Sequence, residues 1–372
     1  MIKKKSRATW LLAVLAVLAL FVSACGSDDD DSGSKDTTST TTAGGEGSAD
    51  LAKASAKLTG QGSSFQDTFQ QKLTSDFGAA VKDAGGSATV TYTKTGSSDG
   101  KKALADKTVD FAGSDSAIKD DEKAAFGSRK ILYFPIVGGP IAVAYNLEGV
   151  DELNLSPDTI AKIFQAEITS WDDQAIKADN PDADLPSTKI TVVHRSDGSG
   201  TTSNFTKFLV AGAPDTWKLD SGDTVNWPTT TQGAEKSTGV ISVVKQTDGA
   251  IGYADLADAA KENLNVANVE NAAGDFVAPT PDAASKALEA AEVAPDLTYN
   301  PIWAEGEGAY PITSPTWMLV DAATTGAKAD TTKAYLDYIL TTGQGQAKSL
   351  FYAPLPDSLA EQAIAQIDQI GG

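Results

Sequence analysis

From Leu51 to the C-terminus, short apolar runs of strand character alternate with runs of helical spacing. No other feature of this 372-residue chain constrains its fold as much. "SATVTYTKT" alternates through Ala88, Val90 and Tyr92, and "KTVDFAGSD" holds a short apolar strand. "FPIVGGPIAVAYN" and "KITVVH" read as buried strands. Between them, "FQDTFQQKLTSDF" places Phe65, Phe69, Leu73 and Phe77 four apart, one stripe on a helix. "SPDTIAKIF" opens with a cap signature and sets Ile160, Ile163 and Phe164 on one face. Alternation of this kind predicts a layered α/β fold with helices covering sheets. In such sheets ligands bind beyond the carboxyl ends of the strands.

The first 50 residues have another character. "MIKKKSR" is a basic segment and "ATWLLAVLAVLALFVSA" an apolar core of signal-peptide type, so residues 1–24 are expected to be cleaved. The run ends in "VSAC", which resembles the lipobox of bacterial lipoproteins, and Cys25, the only cysteine, stands where a lipid (a palmitate among others) would be attached. Cleavage removes Lys3, Lys4, Lys5 and Arg7, taking the net charge from −20 to −24. Residues 26–50 carry almost no apolar content and are expected to be a disordered leash, spanning roughly 25–30 Å root-mean-square.

This acidity argues against a nucleic-acid partner, since no basic stripe follows the N-terminus. It makes the local chemistry of three Ser/Gly turns more telling. "GQGSSF" precedes the Phe69 helix, "TGSSDG" lies between the Val90 strand and "KKALAD", and "SDGSGTTSNF" separates the Val193 strand from a helix carrying Phe205, Phe208 and Leu209. A helix N-terminus leaves N–H groups unpaired and carries partial positive charge. Glycine permits close backbone approach, and Ser and Thr hydroxyls add donors, so each turn suits an anion. Arg195 supplies the strong cation, in a planar fork that fits a tetrahedral oxyanion, and Asp197 is placed to hold it. Any one such turn is also what an ordinary capped helix looks like.

"VDFAGSDSAI" adds Asp115, a carboxylate where an anion is expected. It repels a fully ionised oxyanion but accepts a hydrogen bond from an anion that carries a proton. A buried acceptor therefore selects phosphate and rejects sulfate.

Taken in order, these loops resemble those of the phosphate-binding protein of the bacterial high-affinity phosphate ABC transporter. "GQGSSF" is similar to that family's Gly-Ala-Gly-Ala-Thr-Phe, "TGSSDG" to its Gly-Ser-Ser-Gly-Gly, "VDFAGSD" to its third loop and "VVHRSDGSGTTSNF" to its longest and most specific one. The likeness continues through "ITSWDD", "VNWP", "DGAIGYADLA", "YPITSPTW" and "APLPDSL". The resemblance implies phosphate ligands at Ser64, Phe65 (through its N–H), Ser97, Asp115, Arg195, Ser199, Gly200 and Thr201, with Asp197 behind Arg195. Gln61 and Asp99 depart from the family pattern; Asp99 is expected to face solvent.

It also implies a two-lobed periplasmic-binding-protein fold. Residues 51–137 plus 311–372 would form one lobe and 138–310 the other, hinged around a ligand cleft. The protein would be a monomer, tethered outside the cell membrane, that delivers phosphate to permease subunits without a cofactor or metal. The alternatives are a binding protein for another tetrahedral oxyanion and a secreted phosphate-ester hydrolase. For the hydrolase, the chain offers one histidine, His194, and no Gly-x-Ser-x-Gly elbow around Ser199.

Overall fold

The computed structural model describes residues 51–372. In chain order the strands are β1 (Lys57–Gly62), β2 (Thr89–Lys94), β3 (Phe111–Ser114), β4 (Ile131–Asn146), β5 (Asn154–Leu155), β6 (Thr191–Arg195), β7 (Gln232–Ala234), β8 (Ala250–Asp255), β9 (Asn265–Val266), β10 (Asn268–Glu270), β11 (Phe276–Val277) and β12 (Thr313–Asp321). The helices are α1 (Asp67–Asp83), α2 (Ser97–Ala105), α3 (Asp120–Phe126), α4 (Pro157–Phe164), α5 (Gln174–Asp179), α6 (Gly200–Gly212), α7 (Lys236–Gln246), α8 (Leu256–Lys261), α9 (Pro281–Glu289), α10 (Gly326–Leu340) and α11 (Asp357–Gln366).

The main sheet runs β2-β1-β3-β12-β4-β8-β6-β7, with β9 paired to β4. The outer triplets β2-β1-β3 and β8-β6-β7 are parallel, while β12 and β4 run antiparallel to their neighbours. A small second sheet joins β11, β10 and β5. β4 is buried along almost its whole length, which is why it reads as an unbroken apolar run instead of an alternating one. Its first part, as far as Pro140, pairs with β12, and Ile141–Asn146 pair with β8. Pro135 lacks an N–H, and the β4–β12 register shifts beside it, between Thr316 and Trp317.

The helices lie where the apolar spacing predicts them, with one difference. α1 begins at Asp67, so Phe65 lies in the turn before it. All four stripe residues are nevertheless buried. Phe65 and Phe69 pack edge-on against Tyr352, at 5.7 and 5.8 Å between centroids, and Phe77 against Tyr335 at 5.0 Å. The α4 cap is as expected, with Ser156 Oγ accepting from the Thr159 N–H. A large apolar core extends from Leu58 through Trp171 to Ile370, and each fully buried large side chain contributes roughly 1.5–3 kcal/mol. Among the described residues no helix is long and apolar enough to cross a membrane. The cleavable segment, Cys25 and the leash lie outside the described residues.

Candidate functional site

Every turn singled out in the sequence ends beyond the carboxyl end of a parallel strand. β1 leads to Ser63 and Ser64, β2 to Ser97, β3 to Asp115, and β6 ends on Arg195 ahead of Ser199. Ser63, Ser64, Ser97, Asp115, Arg195, Ser199 and Thr201 are all at most 4% exposed.

The turns close on one another. A side chain on Gly200 would put its Cβ 2.6 Å from Ser97 Oγ and 2.8 Å from Asp115 Cβ. On Gly96, whose φ is +104°, a Cβ would lie 2.8 Å from both Asp197 Oδ2 and the Gly198 carbonyl. Glycine at these two positions is thus what lets the "TGSSDG" and "SDGSGTT" turns meet. Asn204, on the first turns of α6, fixes the approach by donating to the Asp115 carbonyl and to Ser314 Oγ, each at 2.8 Å. The Ser98 N–H donates to the Gly198 carbonyl at 3.2 Å.

Arg195 is held as the sequence predicted. Its Nε and Nη2 donate to Asp197 Oδ1 and Oδ2 at 2.7 and 2.5 Å. Burial pushes the Asp197 carboxyl up, but the hydrogen bonds and charge of Arg195 outweigh it and hold the group below the usual carboxylate range. The other guanidinium nitrogen, Nη1, is buried without a protein partner, and so is Thr201 Oγ1. Ser199 Oγ caps α6 by accepting from the Thr202 N–H at 3.1 Å, which leaves its O–H free to donate. Ser64 Oγ lies 3.1 Å from Ser237 Oγ and accepts from the Ser237 N–H at 3.3 Å. The Phe65 N–H points to Ser63 Oγ at 3.0 Å.

Asp115 is the acidic centre. Burial raises its carboxyl; hydrogen bonds from Ser63 and Thr316 and the charge of Arg195 pull it back, the negative charge of Asp223 opposes them, and the group titrates at about 6. Ser63 Oγ donates across both carboxylate oxygens at 2.6 Å, and Thr316 Oγ1 donates to Oδ1 at 2.6 Å. Ser97 Oγ accepts from the Asp115 N–H at 3.3 Å and stands 3.5 Å from Oδ2.

Sequence reasoning missed Ser63, Thr316, Ser237 and Asp223. Ser63 sits in a turn that reads as an ordinary helix cap, and Thr316 and Ser237 carry no local signal, because each matters through residues far away in the chain. Asp223 lies buried among Lys101, Ser98 and Ser116, 3.0–3.1 Å from each. Asp99 is exposed, as expected, and its carbonyl accepts from Gln61 Nε2 at 3.4 Å, so neither departure from the family pattern reaches the centre.

The three residue types of a hydrolytic triad have other partners. The His194 ring stacks on Trp227 at 4.9 Å with Nδ1 against the Arg195 carbonyl, Asp197 is taken by Arg195, and Ser199 caps its helix. Among the described residues there is no group of three or more His, Cys, Asp or Glu side chains that could hold a metal ion.

Residues 27–342 match a profile described as a PBP superfamily domain. The chain is 34% identical over 324 residues to the phosphate-binding protein PstS of Xylella fastidiosa strain Temecula1, covering 85% of each chain. It is also 34% identical over 375 residues to phosphate-binding protein PstS 3 of Mycobacterium tuberculosis strain H37Rv, covering 96% of this chain and 97% of that one. In fold it is similar to the high affinity periplasmic phosphate-binding protein PfluDING, solved with phosphate bound, at TM-score 0.70 and 21% identity over 84% of this chain and 94% of that one. The order of buried turns, the Arg195–Asp197 fork and these matches lead to one assignment: the chain belongs to the PstS family of phosphate-binding proteins within the PBP superfamily.

Proposed function

We propose that this protein binds inorganic phosphate at Ser64, Phe65, Ser97, Asp115, Arg195, Ser199, Gly200 and Thr201, with Asp197 orienting Arg195, and delivers it to an ABC importer permease. One observation carries the reading. A fully buried carboxylate shares a site with buried donors that lack protein partners, Arg195 Nη1 and Thr201 Oγ1. A protonated phosphate suits both, since its oxygens accept from the donors and its P–OH donates to Asp115. Fully ionised sulfate has no proton to give and meets a carboxylate lone pair.

The protein catalyses nothing in this reading and needs no cofactor; the separate partners of His194, Asp197 and Ser199 support that. Residues 51–137 with 311–372 form one lobe and 138–310 the other. The change of partner strand along β4 near Pro140 supports that boundary. Contacts such as Ser64–Ser237, Ser98–Gly198 and Lys101–Asp223 then cross between lobes, and phosphate favours the closed state because it binds both sides. Cys25 carries lipid that holds the protein, a monomer, on the outer face of the membrane.

Titration calorimetry at pH 7.5 tests the binding reading. Phosphate binds and sulfate at equal concentration neither binds nor competes. Equal competition by sulfate rules out the selectivity assigned to Asp115, and absence of phosphate binding rules out the assignment as a whole.

A further inference from the structure

Behind Asp115 lies a chain of buried hydrogen bonds that all run in one direction, toward the carboxylate. Tyr335 Oη donates to Gln70 Oε1 at 2.7 Å, Gln70 Nε2 to Gln66 Oε1 at 2.8 Å, Gln66 Nε2 to Thr316 Oγ1 at 2.7 Å, and Thr316 Oγ1 to Asp115 Oδ1 at 2.6 Å. Tyr335, Gln70, Gln66 and Thr316 are all 0% exposed.

An amide side chain can be turned end for end, so the direction needs an anchor. Gln66 Nε2 also donates to the Trp317 carbonyl at 3.2 Å, and a carbonyl can only accept. The amide nitrogen of Gln66 therefore faces β12, and its oxygen faces Gln70. Gln70 must then present its nitrogen to Gln66 and its oxygen to the Tyr335 hydroxyl. Thr316 receives the Gln66 N–H, and its own proton goes to Asp115 Oδ1 at 2.6 Å in preference to the Ser114 carbonyl, which lies 3.4 Å away. Room for Gln66 comes from Gly113, where a Cβ would lie 2.8 Å from Gln66 Cδ. The β4–β12 register shift at Thr316 and Trp317 is where Thr316 reaches Asp115 while the Trp317 carbonyl holds Gln66.

We propose that this one-way donor chain, Tyr335–Gln70–Gln66–Thr316, determines ligand specificity by keeping Asp115 a pure acceptor, so that only an oxyanion bringing its own proton fits. The inference rests on the phosphate-binding reading above. Its chemistry is simple. A carboxylic acid that turned its O–H toward Thr316 would force the Thr316 proton from Asp115 onto the Ser114 carbonyl, exchanging a bond of 2.6 Å for one of 3.4 Å. Donors aligned in one direction also polarise one another and strengthen the last bond of the chain. Thr316 and the residues behind it are positioning residues, since none is assigned to the ligand.

The groups facing Asp115 oppose one another. Ser63 and Thr316 donate to it and Arg195 attracts its charge, whereas Asp223 repels it; Tyr92, buried nearby, donates its own hydroxyl to the Ser63 carbonyl at 2.7 Å. Removing one donor raises the pH at which Asp115 takes up a proton. A protonated Asp115 donates, and it then accommodates sulfate.

The experiment is calorimetric competition of sulfate against phosphate from pH 5 to pH 8 on wild type, Thr316→Val, Thr316→Ser and Tyr335→Phe, each checked for folding by circular dichroism. In wild type, discrimination against sulfate erodes as pH falls through about 6. Thr316→Val is expected to move that erosion up by about one pH unit, giving about tenfold weaker discrimination near neutrality. Thr316→Ser restores the wild-type profile. Tyr335→Phe, which leaves Thr316 and Asp115 intact, shifts it in the same direction by less. Should Thr316→Val fail to fold, Tyr335→Phe decides alone. Folded variants with the wild-type profile overturn the donor chain. A wild type that binds phosphate no better than sulfate at pH 8 overturns the specificity of the site itself, and one that binds no phosphate overturns the functional reading beneath both.

Discussion

At the scale of single residues, Asp115 carries the most consequence, because its burial is unfavourable for the free protein and, in the proposed function, is what selects the ligand. Its folded-state carboxyl titrates at about 6, above the unfolded value near 3.8. A raised carboxyl contributes stability that is fully present below the unfolded value and is lost as pH rises through about 6. Ligand-free Asp115→Asn is therefore expected to gain stability relative to wild type at pH 8, by up to about 3 kcal/mol, and to gain little or nothing at pH 4. Urea unfolding at the two pH values checks this; an equal effect at both would mean that Asp115 is not ionised against its surroundings. Arg195 shows the opposite balance. Its charge is offset in place by Asp197, which is why so strong a cation can be 4% exposed.

At the scale of elements, the site is made by turns after parallel strands and by the first turn of α6. The sequence made those turns visible: each alone reads as an ordinary capped helix start, but several of them with an adjacent Arg point to an anion. Ser199 is both the α6 cap and a proposed ligand, so the capping reading and the binding reading are compatible. Gly200 is where the element is least tolerant. In Gly200→Ala the new methyl meets Ser97 Oγ and Asp115 Cβ, and the Asp115 backbone carbon at 3.0 Å cannot rotate away. Phosphate affinity is expected to fall tenfold or more, about 1.4 kcal/mol, while the melting temperature changes by only a few degrees. Calorimetry beside thermal unfolding separates the two, and unchanged affinity would place Gly200 outside the site.

At the scale of the whole molecule, the formal charge of −20 sets only the far field. Salt screens that field beyond roughly 8–10 Å, so an acidic protein can bind an anion through local donors. The proposed closure of two lobes predicts a smaller radius of gyration by small-angle scattering with saturating phosphate; an unchanged radius argues against hinge closure. The proposed anchor predicts that Cys25→Ala moves the protein from the membrane fraction to the soluble one.

The amino-acid sequence alone determined what short-range chemistry determines. Strand and helix alternation follows from the spacing of apolar side chains. The turns proposed to bind the anion follow from Gly, Ser and Thr at helix starts, and the Arg195–Asp197 fork from two residues two positions apart. Only the tertiary structure decided what Asp115 touches. Ser63, Thr316, Gln66, Gln70 and Tyr335 reach it, directly or in sequence, from three separate segments, and Asp223 gathers Lys101, Ser98 and Ser116 across more than a hundred positions. A hydroxyl or amide in a sequence does not announce its partner, because hydrogen bonds in a buried network are fixed by which strands and helices pack together.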